Sequence, residues 1–257
     1  MLDIVIVGGG IHGTLLQLAI TKWRGVAPVV IDANKRPLEN WNRNTRNCGM
    51  RYLRSSSSHS LDSDFHALRR YARHRGYGKD HFIPPYQRPS LQLLSDHSDD
   101  LILTHGLDGR IHDEIRSIRR EGEGYRLHGG NRNYRARVVI LAPGTPPPAL
   151  PWNRLRATAD DRAFHLFDPR FDLEQIGREH SVGIVGCGVT GGQLAIALQR
   201  RGITTLTVID VAEPAMADYD GNPCYVGPRC GPEFDRINSA SERRSVIGRE
   251  RYPGTLP

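Results

Sequence analysis

The 257-residue chain lacks several things that would narrow its role. No apolar run approaches the roughly 20 residues needed to cross a bilayer. The opening "MLDIVIVGGG" has no basic segment ahead of its short apolar run, so it does not read as a signal peptide, and cytoplasm is the expectation. Cysteine is scarce. Cys48, Cys187, Cys224 and Cys230 form no C-x-x-C, which excludes a zinc knuckle and a redox dithiol of the common spacing. Reduced, structural thiols are the expectation for all four. No metal site is expected. Lysine is nearly absent: Lys22, Lys35 and Lys79 are the only ones, so the net charge of +7 is carried by arginine. The arginines are scattered through 69–75, 116–120, 132–137 and 243–251, without the interleaved aromatics of a single-strand binder. Nucleic acid is therefore not an expected partner, nor is a membrane; a small-molecule substrate is.

What the chain has in abundance is glycine, and its placement is organised. "DIVIVG" (3–8) reads as a strand, and a glycine turn spans 8–13. "TLLQLAITKWRG" (14–25) reads as a buried helix stopped by Gly25, and "APVVID" (27–32) as a second strand ending in Asp32. Residues 34–98 are irregular and polar, with a helix over 64–78, an extended proline stretch over 82–90 and a helix over 90–106. Three strands in a meander follow at 111–120, 125–130 and 134–144, the last with an apolar run at 138–142 that suggests burial on both faces. "TPPPALP" (145–151) reads as a stiff linker. From Ser181 the first pattern returns: strand, turn at 186–191, helix, and a strand at 205–210 ending in Asp210. One more helix is expected at 238–250.

The two units align without a gap at a constant offset of 178. Gly8, Gly10 and Gly13 fall on Gly186, Gly188 and Gly191, and Asp32 falls on Asp210. Each position has a physical role. The first glycine makes the tight turn, the second admits a pyrophosphate to the backbone, and the third lets helix and strand pack closely. The helix N-termini, at Ile11 and His12 and at Val189 and Thr190, present free N–H groups to phosphate. An acid about 20 residues beyond the turn accepts a ribose hydroxyl, and Asp32 and Asp210 stand there. The fold expectation is α/β, with two Rossmann-like βαβ dinucleotide-binding units, the first carrying an inserted β-meander and the second incomplete. The segments are 1–150 for the first domain, 151–180 for a connection and 181–257 for a partial second domain. Two dinucleotide sites suggest FAD paired with NADH or NADPH, since hydride passes between nicotinamide and flavin.

With "IVIVGGGIHG", "GMRYLRS" (49–55), "PPYQRPSL" (84–91), "RVVILAPG" (137–144), "GIVGCGVTGG" and "NPCYVGPRC" (222–230), the chain resembles the flavoproteins with two dinucleotide-binding domains. Among these it is most similar to the lysine/ornithine N-monooxygenase type. The resemblance implies FAD in the first unit, with Pro143 and Gly144 where the chain leaves the FAD domain. It also implies Met50 and Arg51 at the flavin, and the nicotinamide cofactor in the second unit. Asp210 opposes a 2′-phosphate and favours NADH, while Arg200 and Arg201 lie close enough in sequence to compensate.

The implied activity is that of an FAD-dependent oxidoreductase, a monooxygenase reduced by NAD(P)H. The resemblance implies no particular catalytic side chain. His12 and His59 read as structural, and "SSSS" (55–58) as a loop. Such flavoproteins normally continue well beyond this point, with a Gly-Asp motif that returns to FAD; here about 45 residues follow Asp210 without it. A shortened chain, a second copy or partner chain completing the C-terminal part, and a non-catalytic binding module all stand as readings. Disulfide reduction ranks below them, because Cys224 and Cys230 have five residues between them and Cys48 is alone.

Overall fold

The computed structural model describes residues 1–145, 163–211, 213, 215–216, 219, 221–226, 229–251 and 255–256. The chain forms two compact units: residues 1–46, 57–78 and 92–171, and residues 47–56, 79–91 and 172–257. The units are interleaved in sequence. Most of the linker at 145–151 lies outside the described residues.

The first unit is built on a six-stranded sheet. Its strands are β1 (Leu2–Val7), β2 (Val29–Asp32), β5 (Ile111–His112), β6 (Ile115–Glu121), β7 (Gly124–Gly129) and β8 (Asn133–Leu141), in the order β5-β2-β1-β8-β7-β6. β1 runs parallel to β2 and β8, and β2 parallel to β5, while β6, β7 and β8 form the antiparallel meander. Between β1 and β2 lies α1 (Ile11–Arg24), which buries Gly13, Thr14, Gln17 and Leu18 at helical spacing. It ends at Gly25, whose left-handed φ of 69° lets its N–H reach Thr21 O. One core cluster joins Val5, Ile31, Leu127, Tyr134 and Ala136, and another gathers Leu18, Leu38, Leu61, Leu101, Ile102 and Leu107. The latter is closed by α4 (Leu91–Thr104), whose buried Leu94, Ser98, Leu101 and Ile102 share one face.

Five local expectations are corrected. The run 111–120 is two strands rather than one, because the Asp113 carboxylate turns the chain between them. It accepts from the N–H groups of Glu114 (2.8 Å) and Asn131 (3.0 Å) and from the Tyr134 hydroxyl (2.7 Å). The Tyr134 hydroxyl is the largest influence holding its pKa down to about 2, and the backbone N–H groups add to it. Strand β8 is not buried on both faces: Val138 and Leu141 are exposed. The "irregular" region contains α2 (Glu39–Asn47), which anchors to the core through one apolar residue, the half-buried Trp41. The expected helix over 64–78 is present in shorter form as α3 (Ala67–His74).

The fourth correction falls in the second unit. The stretch 82–90 is extended only at β3 (Phe82–Ile83) and β4 (Arg88–Pro89). Between them Tyr86 and Gln87 take left-handed φ values of 66° and 51° and close an antiparallel hairpin. The unit also holds β9 (Val182–Val185), α5 (Val189–Arg200) and β10 (Leu206–Ile209), with β9 and β10 paired parallel as a two-stranded sheet. The short strands β11 (Ala215–Met216) and β12 (Thr255–Leu256) pair with each other. The helix α6 (Gly231–Asp235) precedes α7 (Ala240–Glu250), which Ser239 caps through the Glu242 N–H (3.3 Å), matching the helix expected at 238–250. Cys224 and Cys230 form a disulfide, with Cα atoms 5.3 Å apart, which corrects the expectation that all four thiols are reduced. Cys48 and Cys187 remain free.

Candidate functional site: two glycine turns

The glycine turns reproduce one another bond for bond. Gly8 (φ 103°) and Gly186 (φ 97°) take conformations that side chains rarely adopt. Gly8 N donates to Ile31 O at 2.9 Å, and Gly186 N to Ile209 O at 2.8 Å. The next N–H, of Gly9 or Cys187, donates to the carboxylate of Asp32 or Asp210. Gly10 and Gly188 are the N-caps of α1 and α5, both extended, with φ of −73° in each. Neither helix has a capping side chain or an acidic residue in its first turn. The opening N–H groups, those of Ile11, His12 and Gly13 and of Val189, Thr190 and Gly191, are thus left without a side-chain acceptor at the positive end of the helix dipole.

The surroundings of the glycines separate positions that demand close packing from one that opens to space. A Cβ at Gly13 would strike Gly8 O, and one at Gly191 would strike Gly186 O, so both are needed for close packing of helix on strand. A Cβ at Gly10 would meet open space. His12 is exposed, so its contribution to the turn is its backbone N–H. Ala142 N bonds Val7 O (2.8 Å), which brings Pro143 against the first turn, its Cα lying 3.2 Å from a Cβ at Gly8. Gly144 follows with a left-handed φ of 72°.

The two acids hold their turns and keep acceptor capacity. Asp32 is buried; its Oδ1 accepts from Asn34 N (2.6 Å) and Asn34 Nδ2 (2.9 Å), and its Oδ2 from Gly9 N. A carboxylate oxygen has two lone pairs, so Oδ2 retains one acceptor position. Asp210 is exposed and accepts from Val211 N at 2.7 Å besides Cys187 N. Arg201, near enough in sequence to serve a 2′-phosphate, is drawn instead to Glu174 (2.7 Å).

Met50 and Arg51 do not share a compact unit with the first turn; they belong to the second. Their segment packs on α5, where Cys48 Sγ lies 3.6 Å from Gln193 Oε1 and a Cβ at Gly49 would strike Ala197. Burial pushes the Cys48 thiol pKa up. The segment also pairs with 89–91, since Arg51 O accepts from Leu91 N at 2.8 Å. Sequence reading missed Thr14, Leu38 and Arg110, all of which bond Gly9 O, from Oγ1 (3.2 Å), N (3.2 Å) and Nη1 (3.4 Å). For Leu38 and Arg110 no local pattern flags the contact, because each reaches the turn from a distant part of the chain. Among the described residues no group of three His, Cys, Asp or Glu side chains is arranged to hold a metal, and no helix is long and apolar enough to cross a membrane.

No family model matches the chain. An uncharacterised CzcO-like oxidoreductase of Geobacillus kaustophilus (strain HTA426) is 26% identical over 115 residues, covering 44% of this chain and 32% of its own. The ornithine N-hydroxylase of Kutzneria sp. 744, solved with reduced FAD, NADP+ and L-ornithine, superposes with a TM-score of 0.70 at 14% identity. That superposition covers all of this chain and 65% of the hydroxylase. The bacillithiol disulfide reductase Bdr of Staphylococcus aureus gives a TM-score of 0.56 at 16% identity, over 91% of this chain and 62% of that one. The chain thus spans about a third of the curated relative and less than two thirds of either solved chain. What these likenesses establish is the fold: α/β with Rossmann-like βαβ units.

Proposed function

We propose that the chain is the dinucleotide-binding part of an FAD-dependent oxidoreductase, a monooxygenase of the N-hydroxylase type reduced by NAD(P)H. The observation that carries this reading is the duplicated turn, complete in both copies down to the acid that takes the second N–H. FAD belongs in the first unit: the N–H groups of Ile11, His12 and Gly13 face its pyrophosphate, Asp32 holds its adenosine ribose, and Pro143 and Gly144 flank the turn. The nicotinamide cofactor belongs in the second, on Val189, Thr190, Gly191 and Asp210, with NADH preferred because Asp210 opposes a 2′-phosphate and Arg201 is committed to Glu174. Met50 and Arg51 are the proposed flavin contacts, a cation near the ring favouring the charge of its reduced state.

Bound, FAD supplies hydride acceptance and oxygen activation. The chain's own work is electrostatic: backbone N–H groups and helix dipoles neutralise the phosphates, each end contributing about 0.3–1 kcal/mol. The glycines hold those groups where the phosphates must sit. The substrate is a small molecule, the compartment the cytoplasm, and a second copy or partner chain is the proposed completion of the second unit.

Two measurements test this reading. Cofactor released from the purified chain and identified by mass and absorbance should be FAD. With FAD supplied, the chain should oxidise NADH; FAD binding without turnover would instead support a passive or partner-dependent module. A colourless protein that takes up no added FAD sinks the proposal. Disulfide reduction is a second reading, favoured by the Cys224–Cys230 bond. Unchanged NADH oxidation in a variant with both cysteines replaced by serine would dispose of it.

A further inference from the structure

The first turn carries a charge that its own fold does not use. Arg110 immediately precedes β5, and its side chain runs back over Gly9. A Cβ at Gly9 would land on Arg110 Nη1 and lie 3.3 Å from Asp32 Oδ2, so guanidinium and carboxylate flank the same backbone position. Nη1 makes the long bond to Gly9 O, which already receives Leu38 N and Thr14 Oγ1. The Nε and Nη2 groups of Arg110 are buried and have no hydrogen-bond partner, and Arg110 makes no ion pair among the described residues. Burial draws its pKa down, against the pull of Asp32, Glu39 and Asp108. Burying donors without acceptors is costly, and more so on a charged group. Such a cost is retained where a ligand supplies the missing acceptors.

We propose that Arg110 is a ligand-binding residue of the first site, whose two unspent donors take acceptor oxygens on the ADP moiety of the bound dinucleotide. The rigid, planar fork of a guanidinium suits phosphate and ribose oxygens presented together. Together with Asp32 it forms a matched pair, one group accepting from the nucleotide and the other donating to it. The assignment to FAD rests on the function proposed above; the ADP chemistry is common to any adenine dinucleotide.

The test is titration calorimetry of the full chain with FAD and, separately, with ADP, for wild type, Arg110→Met and Arg110→Lys, alongside melting of each without ligand. Arg110→Met should weaken both ligands about ten- to a hundredfold, the range of lost charge-assisted bonds. Its ligand-free melting temperature should equal or exceed that of wild type, since an unsatisfied buried charge has been removed. Arg110→Lys should recover part of the affinity. Arg110→Met binding within twofold of wild type would overturn the proposal and leave the FAD reading standing. A ligand-free Arg110→Met that melts lower or fails to fold would make Arg110 a structural strut, which also overturns it. Should wild type bind ADP but not FAD, the FAD reading falls, and weakened ADP binding in Arg110→Met still supports the role of Arg110. Wild type that binds neither ligand overturns both.

Discussion

The two βαβ units share one local geometry and have different surroundings. In the first, the strand residues Val30 and Ile31 are 0% exposed, because β2 lies inside a six-stranded sheet. Their counterparts Val208 and Ile209 are 39% and 54% exposed in a sheet of two. Nonetheless φ at the first glycine, the N-cap conformation and the bond from turn N–H to carboxylate agree between the copies. The turn is therefore specified by its own thirty or so residues, and the degree of burial by whatever packs around it. A phosphate cradle depends on the former. The stability of the platform beneath it depends on the latter.

The largest expected effect separates these two contributions. Gly8→Ala and Gly186→Ala impose the same backbone strain, about 1–2 kcal/mol for a side chain held at left-handed φ. At Gly8 the added Cβ would also collide with the Ala142 carbonyl, whereas at Gly186 it meets open space. Forcing a packed site to open adds about 1–3 kcal/mol. Thermal melting should therefore show Gly8→Ala destabilised by roughly twice as much as Gly186→Ala or more. Equal losses would mean that the packing around the first turn contributes nothing to its stability.

The same contrast explains what the sequence revealed. The glycines, the acids and the flanking strands and helices were legible because their chemistry is local: a turn, a helix start and a hydrogen bond back to the turn. The exit segment 142–144 was legible only through the resemblance. Features that depend on distant partners were not legible. Strand β5 parts from β6 because Asp113 gathers N–H groups from both sides of the next hairpin. Helix α2 has a polar sequence and folds by inserting Trp41 into a core made elsewhere. The segments 47–56 and 79–91 cluster with 172–257 through long-range packing that no spacing announces. Arg110 is an ordinary loop arginine until the sheet brings it over Gly9.

A middle-sized effect concerns the two acids. Asp32 is buried and bonded to Asn34, while Asp210 is exposed at the end of its strand. Asp32→Ala should reduce FAD affinity and also lower the melting temperature, since it frees the Gly9 N–H. Asp210→Ser should leave stability nearly unchanged and move cofactor preference towards NADPH. Two unit charges 4 Å apart in water interact by about 1 kcal/mol, so the NADPH-to-NADH ratio of kcat/KM should rise about fivefold. An unchanged ratio would mean that the exposed carboxylate does not face the 2′ position.

The smallest effect is one of pH, and it too divides the units. Among the described residues, the carboxyl and imidazole groups with shifted pKa all lie in the first unit: Asp62, Asp64, His97, Asp99, Asp113, Glu121 and Asp168. His97 is buried against Tyr71, ring centroids 5.0 Å apart, and burial lowers its pKa below the ordinary 6.5. Between those two values the unfolded chain binds a proton that the folded chain refuses, so stability is full above about pH 6.5 and declines as pH falls. Asp113 and Glu121, held at about 2, act in the same direction further down, from about pH 4 to 2, as the unfolded carboxyls protonate first. Trp23 and Trp41 belong to the first unit, so tryptophan fluorescence reports on its unfolding. The fluorescence-detected melting temperature should fall slightly from pH 7 to 5, and His97→Gln should flatten that slope without altering the steeper loss below pH 4. A slope that persists in His97→Gln would place the titrating group elsewhere in the first unit and remove the buried imidazole as the source of its sensitivity to mild acid.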